Sequence, residues 1–188
     1  NGSDGTNPRW FFNENYTYCS WNWKAGGTAS SNTDGSITSS VSANQDAGFS
    51  IVSYTGNGSA GATVGHGLGA VPKMIIFKRR GTGGWNVYHV GIGNTKSLSL
   101  NTTAATDTDI AYWNNTTPTS SVFSLGTSAA GNGSGNSMIS YCFAEKQGFS
   151  KFGSYTGNGN ADGTFVYTGF RPAFVMIKRT DDVRNWVI

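Results

Sequence analysis

The chain has 188 residues, of which 12% are charged, and its formal net charge is +3 at pH 7. A chain of this length can bury a core, either as one large β domain or as two smaller ones. The small charge argues against a nucleic-acid-binding module, which clusters more basic residues. No apolar run reaches the roughly 20 residues of a membrane-spanning helix. We therefore expect no nucleic-acid partner and no membrane insertion.

The composition favours an all-β fold. Gly, Ser, Thr and Asn are abundant, aromatic residues supply 13% of the chain, and Glu occurs only as Glu14 and Glu145. Short strands joined by many turns have this composition, and the best helix formers are scarce. We expect very little helix.

Alternating side chains predict the strands in chain order. The centre of one of them, Met74–Phe77, is apolar on both faces and needs cover on both sides, from a second sheet or a neighbouring subunit.

Cys19 and Cys142 each follow a tyrosine in a strand-like run, which predicts two buried free thiols. The predicted strands are 16–23, 49–54, 73–80, 85–90, 97–101, 111–113, 121–125, 138–145 and 173–179.

An internal repeat relates residues 48–87 to residues 148–187. Gly48, Pro72 and Lys78 each match a residue of the same type 100 positions later, whereas Trp85 matches Trp186. A period this long suits tandem β-sandwich units better than a solenoid. We predict a first sandwich unit at 1–146, with a polar inserted hairpin or loop at about 26–47. Residues 147–188 then begin a second, incomplete unit, and we expect the chain to be a piece of a longer polypeptide.

The hexapeptide SYTGNG occurs twice, at 53–58 and 154–159, and its first occurrence satisfies the glycine spacing of a dinucleotide-binding loop. Such a loop must open a helix whose N-terminus faces the phosphates. Residues 62–67, ATVGHG, are not a helix former, and the second occurrence loses the glycine spacing. The element is predicted to be a structural turn, and no cofactor is expected.

Metal and catalytic candidates are sparse. Asn158, Asn160 and Asp162 resemble the start of a calcium loop, but position 169 is Gly where a bidentate Glu is needed. We expect no metal, with these three residues as a weak candidate whose alternative is an Asx-rich turn. His66 lies between glycines and is expected to be exposed or capping. A glycosidase pair of Glu14 and Glu145 stays open as a hydrolase alternative.

Aromatic and amide side chains supply a candidate ligand site. Tryptophan and tyrosine rings stack on sugar faces, although most of the six tryptophans are expected in the core. The exception is the run Tyr112-Trp113-Asn114-Asn115, which has polar loops on both sides. The predicted saccharide platform consists of Tyr112, Trp113, Asn114, Asn115 and Trp85.

Several long phrases carry a resemblance to a known family: AGFSIVSYTGNGSAGATVGHGLGAVPKMIIFKRR, then WNVYH, PTSSVFSLG, YCFAEKQGFSKFGSYTGNGNADGTFVYTGFRPAFVMIKRT and NWVI. From about Trp10 to Ile188 the chain resembles the repeated β-rich domain of tail-fibre and related virion proteins of marine tailed bacteriophages. The resemblance implies tandem jelly-roll or sandwich modules near the adsorption apparatus, which attach to host-surface glycan or protein.

A non-enzymatic tail-fibre or receptor-binding module follows as the first hypothesis. It implies a virion location, extracellular when mature, and other virion subunits as partners, with the chain as a homo-oligomer. A capsid or tail decoration protein without receptor binding is the second hypothesis, and a carbohydrate-active hydrolase is the third.

Overall fold

A computed structural model describes residues 17–188. Within these residues the chain is nearly all β, with twelve strands and two helices of four residues each. The elements in chain order are β1 (Ser30–Asn32), β2 (Ser39–Asn44), β3 (Phe49–Thr55), β4 (Ala62–Gly65), β5 (Pro72–Arg79), β6 (Trp85–His89), β7 (Lys96–Ser99), β8 (Asp107–Thr108), α1 (Ile110–Trp113), β9 (Val122–Leu125), α2 (Ala129–Asn132), β10 (Ser137–Ala144), β11 (Ile177–Lys178) and β12 (Trp186–Val187).

Eight strands form one antiparallel sheet in the order β1-β2-β3-β10-β5-β6-β7-β8. The central strand, β10, lies between β3 and β5, so that Cys142 is opposite Ser50 on one side and Ile75 on the other. The two neighbours of β10 come from the same repeat, yet they do not pair with each other. The sheet is continuous only because a strand from much later in the chain enters between them.

The inner face of this sheet carries the main core. A second sheet, β4 paired with β9, packs on it together with the two short helices, and Val52, Ile75 and Phe77 are fully buried between the layers. Two antiparallel sheets around one apolar layer are a β-sandwich. The predicted all-β, antiparallel sandwich is therefore the observed fold.

The outer face of the same sheet is covered by the C-terminal part of the chain. Met74, Val87 and Leu98 form a smaller apolar cluster, against which Met176 and Trp186 pack. The indole Nε1 of Trp186 also donates a hydrogen bond of 2.9 Å to the carbonyl of Ser99. The two-sided cover predicted for Met74–Phe77 is present, and on the outer face it comes from within the chain.

The second repeat preserves one hairpin of the first. Lys78 is opposite Trp85 in the β5–β6 pair, and Lys178 is opposite Trp186 in the β11–β12 pair. In both hairpins the lysine ammonium donates to the carbonyl of the following arginine, Arg79 or Arg179. The domain boundary predicted at residue 146 falls just after β10, and it stays a prediction.

Three local predictions are wrong. Residues 17–23 form no strand and pair with no strand among residues 17–188, and Cys19 is exposed. Residues 111–113 lie in α1 because the Asp109 carboxylate accepts from the Ala111 backbone N–H at 2.8 Å and caps a helical turn. Of residues 173–179, predicted as one strand, only β11 (Ile177–Lys178) is a strand. Residues 26–47, by contrast, contain the antiparallel pair β1–β2, a hairpin that joins the main sheet through β3.

The two cysteines differ in a way that can be measured. Cys142 is fully buried and burial raises the pKa of its thiol to about 12, whereas Cys19 is exposed. Thiolate is the reactive form, so native protein should take up one iodoacetamide per chain and denatured protein two, as counted by mass spectrometry. Cys19→Ser should abolish labelling of the native state. Labelling of Cys142 in that native variant at the denatured rate would contradict the fold.

Candidate functional site

The first SYTGNG element is a turn held by the buried side chain of Asn132. The Asn57 N–H donates to Asn132 Oδ1 at 3.0 Å, and Asn132 Nδ2 donates to the carbonyls of Ser59 at 2.9 Å and Gly126 at 2.8 Å. The Gly58 N–H donates to the backbone carbonyl of Asn132 at 2.7 Å. Strand β4 follows, and not a helix. The prediction of a structural turn is confirmed, since its polar groups already have partners inside the protein.

His66 is a core residue, and the expectation of an exposed or capping histidine is wrong. It is fully buried at the end of β4. The Leu68 N–H donates to its Nδ1 at 3.2 Å, which leaves Nε2 to carry the proton and to donate to the Thr119 carbonyl at 3.2 Å. Burial lowers its pKa below the ordinary value of 6.5, and the Thr119 carbonyl opposes that shift. His66 joins two loops as a neutral side chain.

The five residues of the predicted saccharide platform do not share a surface. Trp113 is 1% exposed and packs on the inner face, with its ring centroid 4.8 Å from that of Phe77. Trp85 lies on the opposite, outer face, where it stacks on Tyr141 at 6.2 Å. The joint platform is therefore wrong, because an eight-stranded sheet separates the two tryptophans.

The other three platform residues surround the end of α1. Tyr112 is half-buried and packs against the main core. Asn114 and Asn115 have positive φ angles of 52° and 48°, and the Asn114 N–H donates to the Ile110 carbonyl at 2.9 Å, closing the helix. Asparagine tolerates this left-handed conformation well. The Trp113-Asn114-Asn115 run thus has a structural role, with Asn115 the exposed member.

The weak metal candidate is an Asx-type turn. Asn158 Oδ1 accepts from the Asn160 N–H at 3.0 Å, and Asn158 Nδ2 donates to the Gly163 carbonyl at 2.8 Å. Asp162 is exposed in the same turn. Within residues 17–188, no group of three or more His, Cys, Asp or Glu side chains could hold a metal ion. The two hydrogen bonds of the Asn158 side chain give it a structural role in this turn.

Of the proposed hydrolase pair, Glu14 lies outside the described residues. Glu145 forms an ion pair with Lys151 at 2.8 Å and accepts from the Phe152 N–H at 3.3 Å. The hydrogen bond from Lys151 lowers the pKa of this carboxyl. A general acid of a glycosidase needs a raised pKa, whereas the surroundings of Glu145 favour its ionised form.

A hydroxyl-lined cleft lies at one end of the main sheet. It has a volume of about 420 Å³ and is formed where β2 begins, β3 ends and β10 begins. Arg80 contributes an exposed guanidinium, and within residues 17–188 it takes part in no ion pair. The cleft is lined by Ser31, Thr38, Ser39, Ser40, Ser53, Tyr54, Thr55, Arg80, Ser137 and Met138. Hydroxyl groups and a guanidinium favour a ligand rich in hydrogen-bonding oxygens.

A row of residues that lie opposite each other on neighbouring strands runs from the cleft across the outer face of the main sheet. Residues opposite each other in an antiparallel sheet project to the same side. The row therefore places the Ser31, Ser40 and Ser53 side chains and the Trp85–Tyr141 stack on one face. Five strand spacings between the ends of the row amount to roughly 24 Å. Its members are Ser31, Ser40, Ser53, Ile139, Lys78 and Trp85.

Sequence reasoning missed this site because its residues come from five separate segments. Serines and threonines are common throughout the chain, and only the strand register brings these particular ones together. The available signal was the basic run Lys78-Arg79-Arg80 at a strand end. Arg80 has Thr180 at the matching position of the second repeat, so the guanidinium belongs to the first repeat alone.

These features define an all-β sandwich module with an internally repeated hairpin and a polar, arginine-bearing cleft. No helix among the described residues has the length and apolar character that crossing a bilayer requires. The chain belongs to the family described as Domain of unknown function (DUF7483), whose model matches residues 2–188. Neither a curated protein nor a solved structure matches the chain.

Replacing Asn132 should destabilise the protein strongly. Asn132→Ala removes three side-chain hydrogen bonds and leaves buried backbone groups unpaired, so we expect a loss of about 2–4 kcal/mol in the free energy of unfolding, measured in urea. Asn158→Ala is the matched control, because its turn is exposed, and it should change stability by about 0.5 kcal/mol or less. Equal effects of the two changes would contradict the role of Asn132.

His66 should make stability depend on pH. Its folded pKa lies below the unfolded value of 6.5, so the unfolded state takes up the proton first and stability falls as the pH drops below about 6.5. Burial also lowers the pKa of His89. Urea titrations between pH 7.5 and 5 should show a smaller loss of stability in His66→Gln than in the wild type. His89→Gln separates the contribution of the second histidine, and an unchanged slope in His66→Gln would refute the assignment.

Proposed function

We propose that the chain is a structural module of a bacteriophage virion that attaches the particle to host-surface glycan, as part of a tail fibre or another receptor-binding protein. The sequence resemblance described above supports the class of protein. The hydroxyl-lined cleft, with an Arg80 guanidinium that forms no ion pair among residues 17–188, is the observation that carries the binding role. In this proposal the module has no catalytic function.

An anionic saccharide is the ligand that suits the cleft best. The guanidinium of arginine matches the planar geometry of a carboxylate or sulfate and stays charged at any relevant pH. Serine and threonine hydroxyls both donate and accept, as sugar hydroxyls do. Trp85 and Tyr141, stacked at 6.2 Å on the same face, extend the surface with aromatic rings that contact apolar sugar faces.

The sheet itself gives the cleft a rigid frame. The lining residues of the cleft lie on or next to β1, β2, β3, β10 and β5, which are consecutive neighbours in the main sheet. A site on paired strands loses little conformational freedom when a ligand binds, so weak individual contacts can add up to useful affinity. Repeated copies in a homo-oligomer would increase the avidity further.

The second candidate function is a capsid or tail decoration module without receptor binding. The exposed apolar side chains of residues 149–188 favour it, because Phe165, Tyr167 and Val175 suit contacts between subunits better than contacts with a glycan. Both functions place the chain in the virion, outside the cell when mature, among other virion subunits. They differ in whether the cleft has a ligand.

Binding to a glycan array tests the proposal. The wild-type chain should bind carboxylated or sulfated glycans, and Arg80→Ala should weaken binding by roughly 10- to 150-fold, as expected for the loss of about 1.5–3 kcal/mol from charge-assisted hydrogen bonds. Arg171→Ala, the same change at an exposed arginine of the second repeat, should leave the affinity unchanged.

Two results would reject the receptor-binding proposal. One is an array on which the folded wild type binds no glycan while it assembles into oligomers, which favours the decoration role. The other is an Arg80→Ala variant whose affinity equals that of the wild type, which removes the cleft from the binding surface.

A further inference from the structure

Three Asn-Gly pairs lie among the described residues, at 57–58, 132–133 and 158–159. An asparagine followed by glycine can lose its side-chain amide when the backbone nitrogen of the glycine attacks the side-chain carbonyl carbon, Cγ, and closes a succinimide ring. Glycine leaves that nitrogen accessible because it has no Cβ. The nitrogen must first give up its proton, as it does in amide hydrogen exchange. The hydrogen bond made by the glycine N–H should therefore decide which pair reacts.

Two of these pairs occupy equivalent places in the two SYTGNG turns, and the turns have the same local geometry. Gly58 and Gly159 have φ angles of 74° and 73°. In each turn the asparagine Oδ1 accepts a hydrogen bond from the backbone N–H two residues later, at 2.9 Å for Asn57 and 3.0 Å for Asn158. Both asparagines are exposed. Any difference in their reactivity must therefore come from the surroundings of the two turns.

The first turn is held by the rest of the protein. The Gly58 N–H donates to the backbone carbonyl of Asn132 at 2.7 Å, and the Asn57 N–H donates to Asn132 Oδ1 at 3.0 Å. Asn132 is 1% exposed, so the first of these bonds shields the nitrogen that would attack. Breaking it leaves a buried carbonyl unpaired, which raises the barrier to ring closure. Asn57 is thus protected by the fold.

The pair Asn132-Gly133 is protected in another way. Both residues are buried. Asn132 Nδ2 donates to the carbonyls of Ser59 at 2.9 Å and Gly126 at 2.8 Å, while its Oδ1 accepts from Asn57. A side chain held at both its oxygen and its nitrogen cannot turn its Cγ toward the Gly133 nitrogen without losing these bonds.

The second SYTGNG turn leaves the corresponding nitrogen open. The Gly159 N–H donates to no group among residues 17–188, and every residue from 153 to 164 is exposed. A Cβ built on Gly159 would meet no atom within 4 Å, whereas one on Gly58 would lie 3.4 Å from Ser134 Cβ. The amide that must leave is bonded from Asn158 Nδ2 to the Gly163 carbonyl at 2.8 Å, at an exposed site where water can replace the bond.

We infer that Asn158 is a site of spontaneous modification, at which the folded chain loses ammonia and gains a carboxylate while Asn57 stays intact. In the first step a solvent base takes the Gly159 amide proton and the Gly159 nitrogen bonds to Asn158 Cγ. The Cγ–Nδ2 bond breaks, and Nδ2 leaves as ammonia with a proton from water. In the second step water adds to either ring carbonyl and breaks the bond from that carbon to the ring nitrogen, which gives aspartate or isoaspartate. The net reaction consumes one water and releases one ammonia.

The product changes the charge and the shape of the turn. The new carboxylate lies in the turn that already holds Asp162, and the Nδ2 donor to the Gly163 carbonyl is lost. Isoaspartate also lengthens the backbone by one methylene. Since the turn is exposed, the fold should persist, so the second repeat becomes more acidic as the protein ages. The inference is independent of the glycan-binding proposal.

Ageing of the full chain at mildly alkaline pH tests the assignment. Peptide mapping by mass spectrometry should find that native Asn158 deamidates about tenfold or more faster than native Asn57, because ring closure at Asn57 must break a buried hydrogen bond. The product at position 158 should include isoaspartate. In urea-denatured protein the two asparagines should react at closely similar rates, since both lie in the sequence SYTGNG. Hydrogen exchange of the native chain should be about tenfold or more faster at the Gly159 amide than at the Gly58 amide.

A pair of variants identifies the attacking nitrogen. Gly159→Ala places a methyl group beside that nitrogen, at an exposed position with open space around it, and most of the isoaspartate at position 158 should be lost. Gly157→Ala is the matched control, because Gly157 is also exposed with no atom within 4 Å of a built Cβ, and it should deamidate as the wild type does. Neither variant should alter glycan binding.

Four outcomes would overturn the inference. The first is native protein in which Asn57 or Asn132 deamidates as fast as Asn158. The second is a rate difference between Asn57 and Asn158 that persists in urea, which would remove the fold as its cause. The third is a Gly159 amide that exchanges as slowly as that of Gly58. The fourth is isoaspartate formation that Gly159→Ala leaves unchanged.

Discussion

The main sheet depends on the position of β10 between β3 and β5. Residues 48–87 supply both neighbours, but these two strands meet only through a third strand that follows some fifty residues after β6. Until β10 arrives, Val52 and Ile75 have no common core, and closing so long a connection costs entropy before any contact compensates for it. Residues 48–87 therefore cannot form the continuous sheet by themselves.

A second constraint fixes the connections around that sheet. Asn132 ties the turn after β3 to the loop before β10, and Tyr54 adds a bond of 2.8 Å from its hydroxyl to the Gly131 carbonyl. Adding a Cβ at Gly131 would bring it within 2.7 Å of the Phe77 ring, so this loop fits tightly against the core. The SYTGNG turn keeps its shape because buried partners satisfy it, and no ligand is needed for that.

Sequence patterns predicted β3, β5, β6, β7, β9 and β10, which carry apolar or alternating signals. They gave no bounds for β1 and β2, because SSN and SSVSAN are polar and become strands only through pairing, β2 with β3 and β1 with β2. The same patterns predicted a strand at 111–113, where N-capping by Asp109 instead stabilises a helical turn. The predicted saccharide platform is wrong for a related reason. Proximity in sequence does not determine which face of a sheet a side chain occupies. The hydroxyl-lined cleft, in turn, is formed only by the register of the strands.

The repeat also explains how the two units meet. Met176 and Trp186 of the second repeat occupy the positions of Ile76 and Trp85, which project from the outer face of the first. Ile76 and Met176, which match each other in the two repeats, therefore lie in one apolar cluster. Val175 and Ile177, which match the inner-face residues Ile75 and Phe77, stay exposed. The apolar surface that stays open on the second repeat is thus the surface that, in the first repeat, faces its own second sheet.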